Sequence, residues 1–124
     1  MPARILVVDD DLGYLNVTKD LLEQGGHEVL VASTFHEGRR VLRDEAPDLL
    51  IADVRLGAFN GLQLIATGTA RIPTIVVSGF DDAVLQADAK AFGAEYLVKP
   101  VSAASLLELI GRKLADATRR VVPS

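Results

Sequence analysis

Five short runs, mostly of branched apolar residues, recur along the chain, and longer amphipathic segments separate them. The runs are Arg4–Val8, Glu28–Ala32, Leu49–Asp53, Thr74–Ser78 and Glu95–Val98. Runs of this length and apolar character are typical of parallel strands covered on both faces. Parallel strands need long crossover connections, so the segments between the runs are predicted to be helices. The alternation therefore predicts an α/β domain in which five helices cover a doubly wound, five-stranded parallel sheet.

Helical spacing and capping residues locate the helices between these strands. The apolar face predicted for the first helix, residues 12–23, consists of Tyr14, Val17, Leu21 and Leu22. The predicted cap residues of the second, fourth and last helices are Thr34, Asp81 or Asp82, and Ser102. The third helix is predicted to be short, because only a brief segment lies between Gly61 and Pro73.

Length, charge and composition restrict the class of protein. The 124 residues suit one domain, placed at residues 3–117, with residues 118–124 as a C-terminal tail or linker. The absence of cysteine excludes disulfides, thiolate metal sites and cysteine nucleophiles. A formal net charge of −4 argues against direct nucleic acid binding, because phosphate contacts need a basic face. No apolar run is long enough for a signal peptide or a membrane span, so the sequence predicts a soluble, cytoplasmic protein without membrane contact.

Acidic or reactive side chains stand where four of the five predicted strands end. These are Asp9 and Asp10 after the first strand, Asp53 at the end of the third, Ser78 at the end of the fourth and Lys99 after the fifth. In a parallel sheet these ends lie along one edge, which is where open α/β sheets bind ligands. Separate parts of the chain are therefore predicted to meet in one crevice.

Three carboxylates in one crevice repel each other unless a cation lies between them. Mg²⁺ takes oxygen ligands and commonly uses one or two carboxylates together with phosphate and water. We assign Asp10 and Asp53 as direct ligands and Asp9 as a direct or water-mediated ligand. The backbone carbonyl of Arg55 is a natural further ligand. A zinc site is not expected, because the sequence has no pair of His or Cys residues at ligand spacing.

An aspartate at such a site can attack phosphorus and form an acyl phosphate. Phosphoryl transfer asks the protein mainly for positioning and for neutralisation of charge. Asp53 is therefore the predicted phosphoacceptor. The ammonium of Lys99 can neutralise phosphate oxygens, and the hydroxyl of Ser78 can donate a hydrogen bond to one of them.

Four motifs in this chain are similar to those of a known family. They are Val7-Val8-Asp9-Asp10, Asp53 with the loop from Gly57 to Gly61, Val77-Ser78-Gly79, and Tyr96-Leu97-Val98-Lys99-Pro100. Over residues 3–117 the chain resembles the receiver domain of bacterial two-component response regulators, of the chemotaxis-receiver type. The resemblance implies a flavodoxin-like sheet with strand order 2-1-3-4-5.

The resemblance also implies a chemistry for the strand ends. A sensor histidine kinase or phosphotransfer protein would pass a phosphoryl group from phosphohistidine to Asp53, with Mg²⁺ held by the acidic pair Asp9 and Asp10. Lys99 would be the counter-ion of the phosphate. The bond between Lys99 and Pro100 would be cis.

A switch and an output surface follow from the same resemblance. Ser78 would move toward the phosphate, and Tyr96 would swing inward in response. The changed surface would consist of the fourth helix, the fifth strand and the last helix, and would contact an output domain or a partner protein. A homodimer that forms on phosphorylation is a further expectation. The domain would be a signalling module rather than an enzyme, catalysing only its own phosphorylation and slow dephosphorylation.

Three positions near the phosphoacceptor depart from the family pattern or are specific to this chain. Gly57 replaces a usual proline, which predicts a looser loop. Arg55 and Phe80 lie two residues after Asp53 and Ser78, so both are predicted to flank the phosphate. Our hypothesis is that Phe80 shields the acyl phosphate from water and that Arg55 screens its charge.

Other functions remain open on sequence grounds. A pseudo-receiver that signals by contact alone is disfavoured by the complete set of strand-end residues. A phosphohydrolase with an Asp nucleophile would need an acid/base Asp where Arg55 stands. A flavin-binding protein is disfavoured because Asp9-Asp10-Asp11 would repel phosphate. No output motif follows residue 118, so a stand-alone receiver and a part of a longer regulator or hybrid kinase both fit the sequence.

Overall fold

One parallel sheet of five strands organises the protein. The structure, a computed structural model, describes residues 3–56, 59–67 and 72–121. The strands are β1 Arg4–Val8, β2 Glu28–Ala32, β3 Leu49–Asp53, β4 Thr74–Ser78 and β5 Glu95–Val98. All pair in parallel in the order β2-β1-β3-β4-β5, so the predicted flavodoxin-like fold is confirmed. A short antiparallel ribbon of Arg55–Leu56 and Phe59–Asn60 follows β3.

Within the described residues, four helices connect these strands and a fifth follows the last strand. They are α1 Leu12–Gln24, α2 Phe35–Glu45, α3 Gly61–Thr67, α4 Ala83–Ala91 and α5 Ala103–Val121. The third helix is short, as predicted, with seven residues. The last helix continues to Val121, so the segment predicted as a tail from residue 118 begins as helix. None of the helices that the structure describes is long and apolar enough to cross a bilayer.

Side-chain caps begin four of these helices. Asp11, Thr34 and Asp82 accept hydrogen bonds from backbone N–H groups in the first turns of α1, α2 and α4. Ser102 Oγ accepts from the N–H of Ser105 at the start of α5. Of the two candidates for α4, Asp82 is the cap. Each bond satisfies a donor that the helix itself leaves free, which is why these residues determine where the helices begin.

The central strands are buried on both faces. Ile5 and Val7 of β1 pack with α1 and α5, in a cluster that includes Leu22 and Ile110. The alternate side chains of β1 pack on the other face with α2 and α3, where Leu64 is fully buried. Two covered faces explain why the strand runs are apolar throughout. The same burial holds the carboxyl ends of β1 and β3 in a fixed position.

The predicted apolar face of α1 was wrong in part. The residues of α1 that are buried are Leu15, Thr18 and Leu22, whereas Val17 is 67% exposed. Two positions along a helix correspond to a turn of about 200°, so Val17 lies almost opposite Leu15. The packing of α1 on the sheet selects the face with Leu15, and Tyr14 is consequently directed to the sheet edge.

Candidate functional site

Three carboxylates meet at the carboxyl edge of the sheet. Asp9, Asp10 and Asp53 each offer an oxygen atom, and these atoms all lie within 4.8 Å of one another. The pairing of Val8 with Ala52 in the parallel register makes the residues after β1 and at the end of β3 neighbours. Asp9 is buried, Asp53 is half-buried and Asp10 is exposed, so the cluster opens from the sheet toward solvent.

Backbone packing fixes the position of Asp53. The N–H of Gly61, at the start of α3, donates to the carbonyl of Val54 over 2.6 Å. A Cβ atom on Gly61 would lie only 2.0 Å from the carbonyl oxygen of Asp53. The absence of a side chain at Gly61 therefore allows the short helix to seat directly on the end of β3. The N–H of Arg55 donates to Asp53 Oδ1 over 3.2 Å, which orients the carboxylate.

Lys99 supplies a positive charge inside this carboxylate cluster. Its Nζ lies 3.1 Å from Asp9 Oδ2 and 3.2 Å from Asp53 Oδ2. Burial lowers the pKa of Lys99, but the charges of Asp53 and Asp9 outweigh it, so the pKa lies above its usual value. The ammonium therefore stays protonated at neutral pH. The backbone N–H of Lys99 donates to the carbonyl of Ser78, and the peptide bond to Pro100 is cis, the geometry that the resemblance implies.

Burial and the neighbouring groups shift the pKa of Asp9. Burial raises the pKa of Asp9; the N–H of Asp11 lowers it, and the charge of Asp53 raises it again. The net effect is a pKa above the usual aspartate value despite the contact with Lys99. The donor atoms that the three carboxylates of the cluster offer are all oxygen atoms. Such a donor set suits a hard divalent cation, and Mg²⁺ fits it.

Ser78 lies at the same edge and is almost completely buried. Its Oγ accepts a hydrogen bond of 3.1 Å from the N–H of Phe80. The bond is local to the turn after β4, and the hydroxyl proton remains available for donation. The structure thus places Ser78 beside the crevice with its oxygen held by the turn.

Phe80 contacts three of the predicted site residues. Its ring lies under the guanidinium of Arg55, with Cζ 4.3 Å from the ring centroid. Its N–H contacts Ser78, and its carbonyl oxygen accepts a 2.7 Å hydrogen bond from the hydroxyl of Tyr96. Phe80 therefore connects Arg55, which is predicted to flank the phosphate, with both predicted switch residues. The carbonyl of Arg55 as a metal ligand stays a prediction, and Gly57 lies outside the described residues.

Sequence reasoning missed Tyr14. It was assigned to an apolar helix face, whereas its ring lies over the ammonium of Lys99 with Nζ 4.1 Å from the centroid. The contact joins residues 85 positions apart, so no local pattern signals it. An aromatic residue in the first turn of a helix that follows the acidic pair is the only sequence clue.

Comparison with known proteins identifies the family. The family model described as the response regulator receiver domain matches residues 5–111. The chain belongs to this family. The receiver domain superposes on a CheY-like receiver domain protein from Methanospirillum hungatei JF-1 with a TM-score of 0.90 and 31% identity, covering 97% of this chain and 99% of the other. A receiver domain protein from Clostridium thermocellum gives a TM-score of 0.90 and 32% identity over 96% and 99% of the two chains.

Curated relatives of this chain differ in length. The receiver domain is 35% identical to protein PilH of Pseudomonas aeruginosa, over 91% of this chain and 98% of PilH. It is 34% identical to the response regulator protein FleR of the same organism, over 90% of this chain but only 24% of FleR. The domain therefore spans one whole relative and about a quarter of another. Membership of the family makes it a signalling domain of two-component response regulators.

Proposed function

We propose that this receiver accepts a phosphoryl group on Asp53 from a phosphohistidine of a histidine kinase or phosphotransfer protein. The observation that carries the proposal is the position of the Lys99 ammonium, which lies within hydrogen-bond distance of Asp53 inside a cluster of three carboxylates. A carboxylate oxygen of Asp53 attacks phosphorus, and the bond between phosphorus and the imidazole nitrogen breaks. The imidazole keeps the electron pair, and an acyl phosphate forms.

The surrounding residues position and neutralise the reacting groups. Asp53 is oriented by the N–H of Arg55 at one oxygen and by Lys99 at the other. Asp9, Asp10 and Asp53 would hold Mg²⁺, with the Arg55 carbonyl as the predicted further ligand. When bound, Mg²⁺ neutralises negative charge on the phosphoryl group. The ammonium of Lys99 would neutralise the same phosphoryl oxygens, because it already contacts the carboxylate of Asp53.

The two hydrogen bonds of Phe80 support a path by which phosphorylation of Asp53 would change the protein surface. A move of Ser78 toward the phosphate would alter its bond with the N–H of Phe80, and the carbonyl of that residue holds Tyr96. The face of α4, β5 and α5 would report the change to an output domain or a partner protein, or to a second copy of this chain. A groove of about 660 Å³ opens on this face, with Lys90, Tyr96 and Lys113 in its lining.

The first experiment tests phosphoryl acceptance directly. The protein is incubated with acetyl phosphate and Mg²⁺, and its intact mass is measured. We expect a mass gain of one phosphoryl group that a chelator prevents, because the carboxylate cluster needs a cation to receive an anionic donor. The pseudo-receiver alternative predicts the parent mass in both samples, and that result would overturn the proposal.

Arg55 and Phe80 are expected to lengthen the life of the acyl phosphate together. The guanidinium of Arg55 stacks on the ring of Phe80, so that an apolar ring and a cation form one unit. The substitution Phe80→Ala removes the aromatic ring and therefore also the surface on which the guanidinium of Arg55 stacks. Because an exposed cation–π contact contributes about 0.5–1 kcal/mol, we expect phosphate loss to accelerate by about twofold to fivefold. The measurement is the first-order decay of the phosphorylated mass after the donor is removed.

A matched control separates this effect from general loss of apolar surface. Val84 is 69% exposed on α4, compared with 53% for Phe80, so Val84→Ala also removes an exposed apolar side chain. Its phosphate should decay at the parent rate. A Phe80→Ala variant that decays no faster than Val84→Ala would contradict the shielding hypothesis.

A further inference from the structure

The ammonium of Lys99 is enclosed on three sides. Two sides face carboxylate oxygens of Asp9 and Asp53, and the third faces the ring of Tyr14. An ammonium has three N–H donors and no acceptor, so two carboxylates leave one donor to be hydrated or covered. The face of an aromatic ring attracts a cation and excludes water at the same time. The side chain of Lys99 is only 20% exposed as a result.

The first turn of α1 presents the ring at this point. The carboxylate of Asp11 accepts a hydrogen bond of 3.1 Å from the N–H of Tyr14, which fixes the turn next to the acidic pair. The following residue, Leu15, is 4% exposed and anchors the turn in the core. Tyr14 is consequently held at the sheet edge without belonging to the buried stripe of the helix. Burial raises the pKa of its hydroxyl, with Lys99 opposing, so the ring is a neutral phenol.

We infer that Tyr14 is a positioning residue that holds the Lys99 ammonium against Asp53. The inference rests on the proposed phosphoryl acceptance by Asp53. Lysine has a long, flexible side chain whose charged end prefers water. Without the ring, the outer side of the ammonium becomes hydrated and the side chain samples other positions. With the ring, the positive charge is already in place when a phosphoryl group arrives, so less reorganisation is needed during transfer.

A simple packing role for Tyr14 would have different consequences. The buried contacts of α1 come from Leu15, Thr18 and Leu22. A residue that only packs would have the same effect on the protein whether or not a lysine is present. A residue that positions Lys99 should lose its effect once the ammonium is removed.

The test measures the rate constant for phosphorylation of Asp53 by acetyl phosphate in a set of variants. Cation–π contacts are weakest at exposed sites and strongest at desolvated sites. This range corresponds to a fall of about twofold to thirtyfold in the phosphorylation rate constant of Tyr14→Leu. Tyr14→Phe keeps the ring and should recover most of the parent rate. In a Lys99→Met background, Tyr14→Leu should cause no further loss. Val17→Ala, an exposed position on the same helix, is the control expected to match the parent.

A second measurement reads the geometry without any phosphoryl transfer. The ε carbon of Lys99 is bonded to Nζ, which lies 4.1 Å from the ring centroid, so the nuclear magnetic resonance signal of the ε protons should be shifted upfield by the ring current. The signal is assigned by its loss in Lys99→Met. The shift should persist in Tyr14→Phe and disappear in Tyr14→Leu.

These outcomes separate the two proposals. An unchanged rate in Tyr14→Leu, or an equal loss with and without Lys99, would overturn the role of Tyr14. A parent chain that takes no phosphoryl group would overturn the proposed function instead. In that case the ring-current shift alone decides whether Tyr14 holds Lys99, and a signal at the unshifted lysine position would overturn this inference as well.

Discussion

Replacing Asp53 with asparagine is expected to abolish phosphoryl acceptance. The amide of asparagine has the shape of the carboxylate but no anionic oxygen to attack phosphorus. Asp53→Asn also removes one of the three carboxylates of the cluster, so the affinity for Mg²⁺ should fall. The parent gains the mass of one phosphoryl group from acetyl phosphate, whereas the variant should keep its unmodified mass at every time point.

The fold should tolerate Asp53→Asn, because the substitution leaves several local contacts in place. The amide oxygen can still accept from the N–H of Arg55, and Lys99 keeps its partner Asp9. The charge of Asp53 also contributes to the raised pKa of Asp9, so its removal relieves that repulsion. Far-ultraviolet circular dichroism should therefore match the parent.

Asp11→Asn is the matched control for this prediction. The change is chemically identical and lies next to the cluster, but Asp11 serves as the cap of α1. Asparagine caps helices as well as aspartate does. The control should therefore accept phosphoryl groups close to the parent rate. A mass gain in Asp53→Asn equal to that of the parent would place the phosphoacceptor elsewhere and refute the assignment.

Gly61→Ala is expected to cause the largest loss of stability among single-atom changes near the site. Its Cβ would lie 2.0 Å from the carbonyl oxygen of Asp53 and 2.9 Å from the carbonyl carbon. Backbone atoms of a central strand cannot rotate away as a flexible side chain would. Overpacking of this kind costs about 1–3 kcal/mol and occasionally more, so we expect a loss of about 3 kcal/mol in the free energy of unfolding.

Denaturant unfolding of two glycine variants measures this effect. Gly111 lies within α5 and has no atom near the position of an added Cβ, so Gly111→Ala provides the control. Alanine is the better helix former, and we expect a gain of about 0.5–1 kcal/mol. Equal unfolding free energies for the two variants would refute the close packing of α3 on β3. Any Gly61→Ala protein that folds should also accept phosphate more slowly, since Asp53 is displaced.

Strand positions could be predicted from the sequence because burial on both faces leaves a strong local signal. The positions of the five strands in the parallel sheet follow from runs of branched apolar residues, whereas the short antiparallel ribbon after β3 was not predicted. Helix starts were readable where a side chain caps the first turn, as with Thr34. The choice between Asp81 and Asp82 depended on backbone geometry at the turn after β4, which the sequence does not contain.

Helix faces were harder to predict than helix positions. Val17 looks like a core residue by composition and spacing, yet it is exposed. The orientation of α1 is determined by how Leu15 and Leu22 pack against β1 and α5, and this depends on residues far away in the chain. The same orientation directs Tyr14 to Lys99, so the error about the face and the missed contact have one physical cause.

The element order, the fold class and the family can be read from the sequence, because they follow from local apolar runs and short motifs. It also supplied each acidic or basic group at the end of a strand. Only the folded structure shows which atoms come into contact. The carboxylates of Asp9 and Asp53 contact one ammonium, the ring of Tyr14 covers that ammonium, and Phe80 lies between Arg55 and Tyr96. Such contacts depend on how the helices pack against the sheet, and this packing is determined by many residues that are far apart in the sequence.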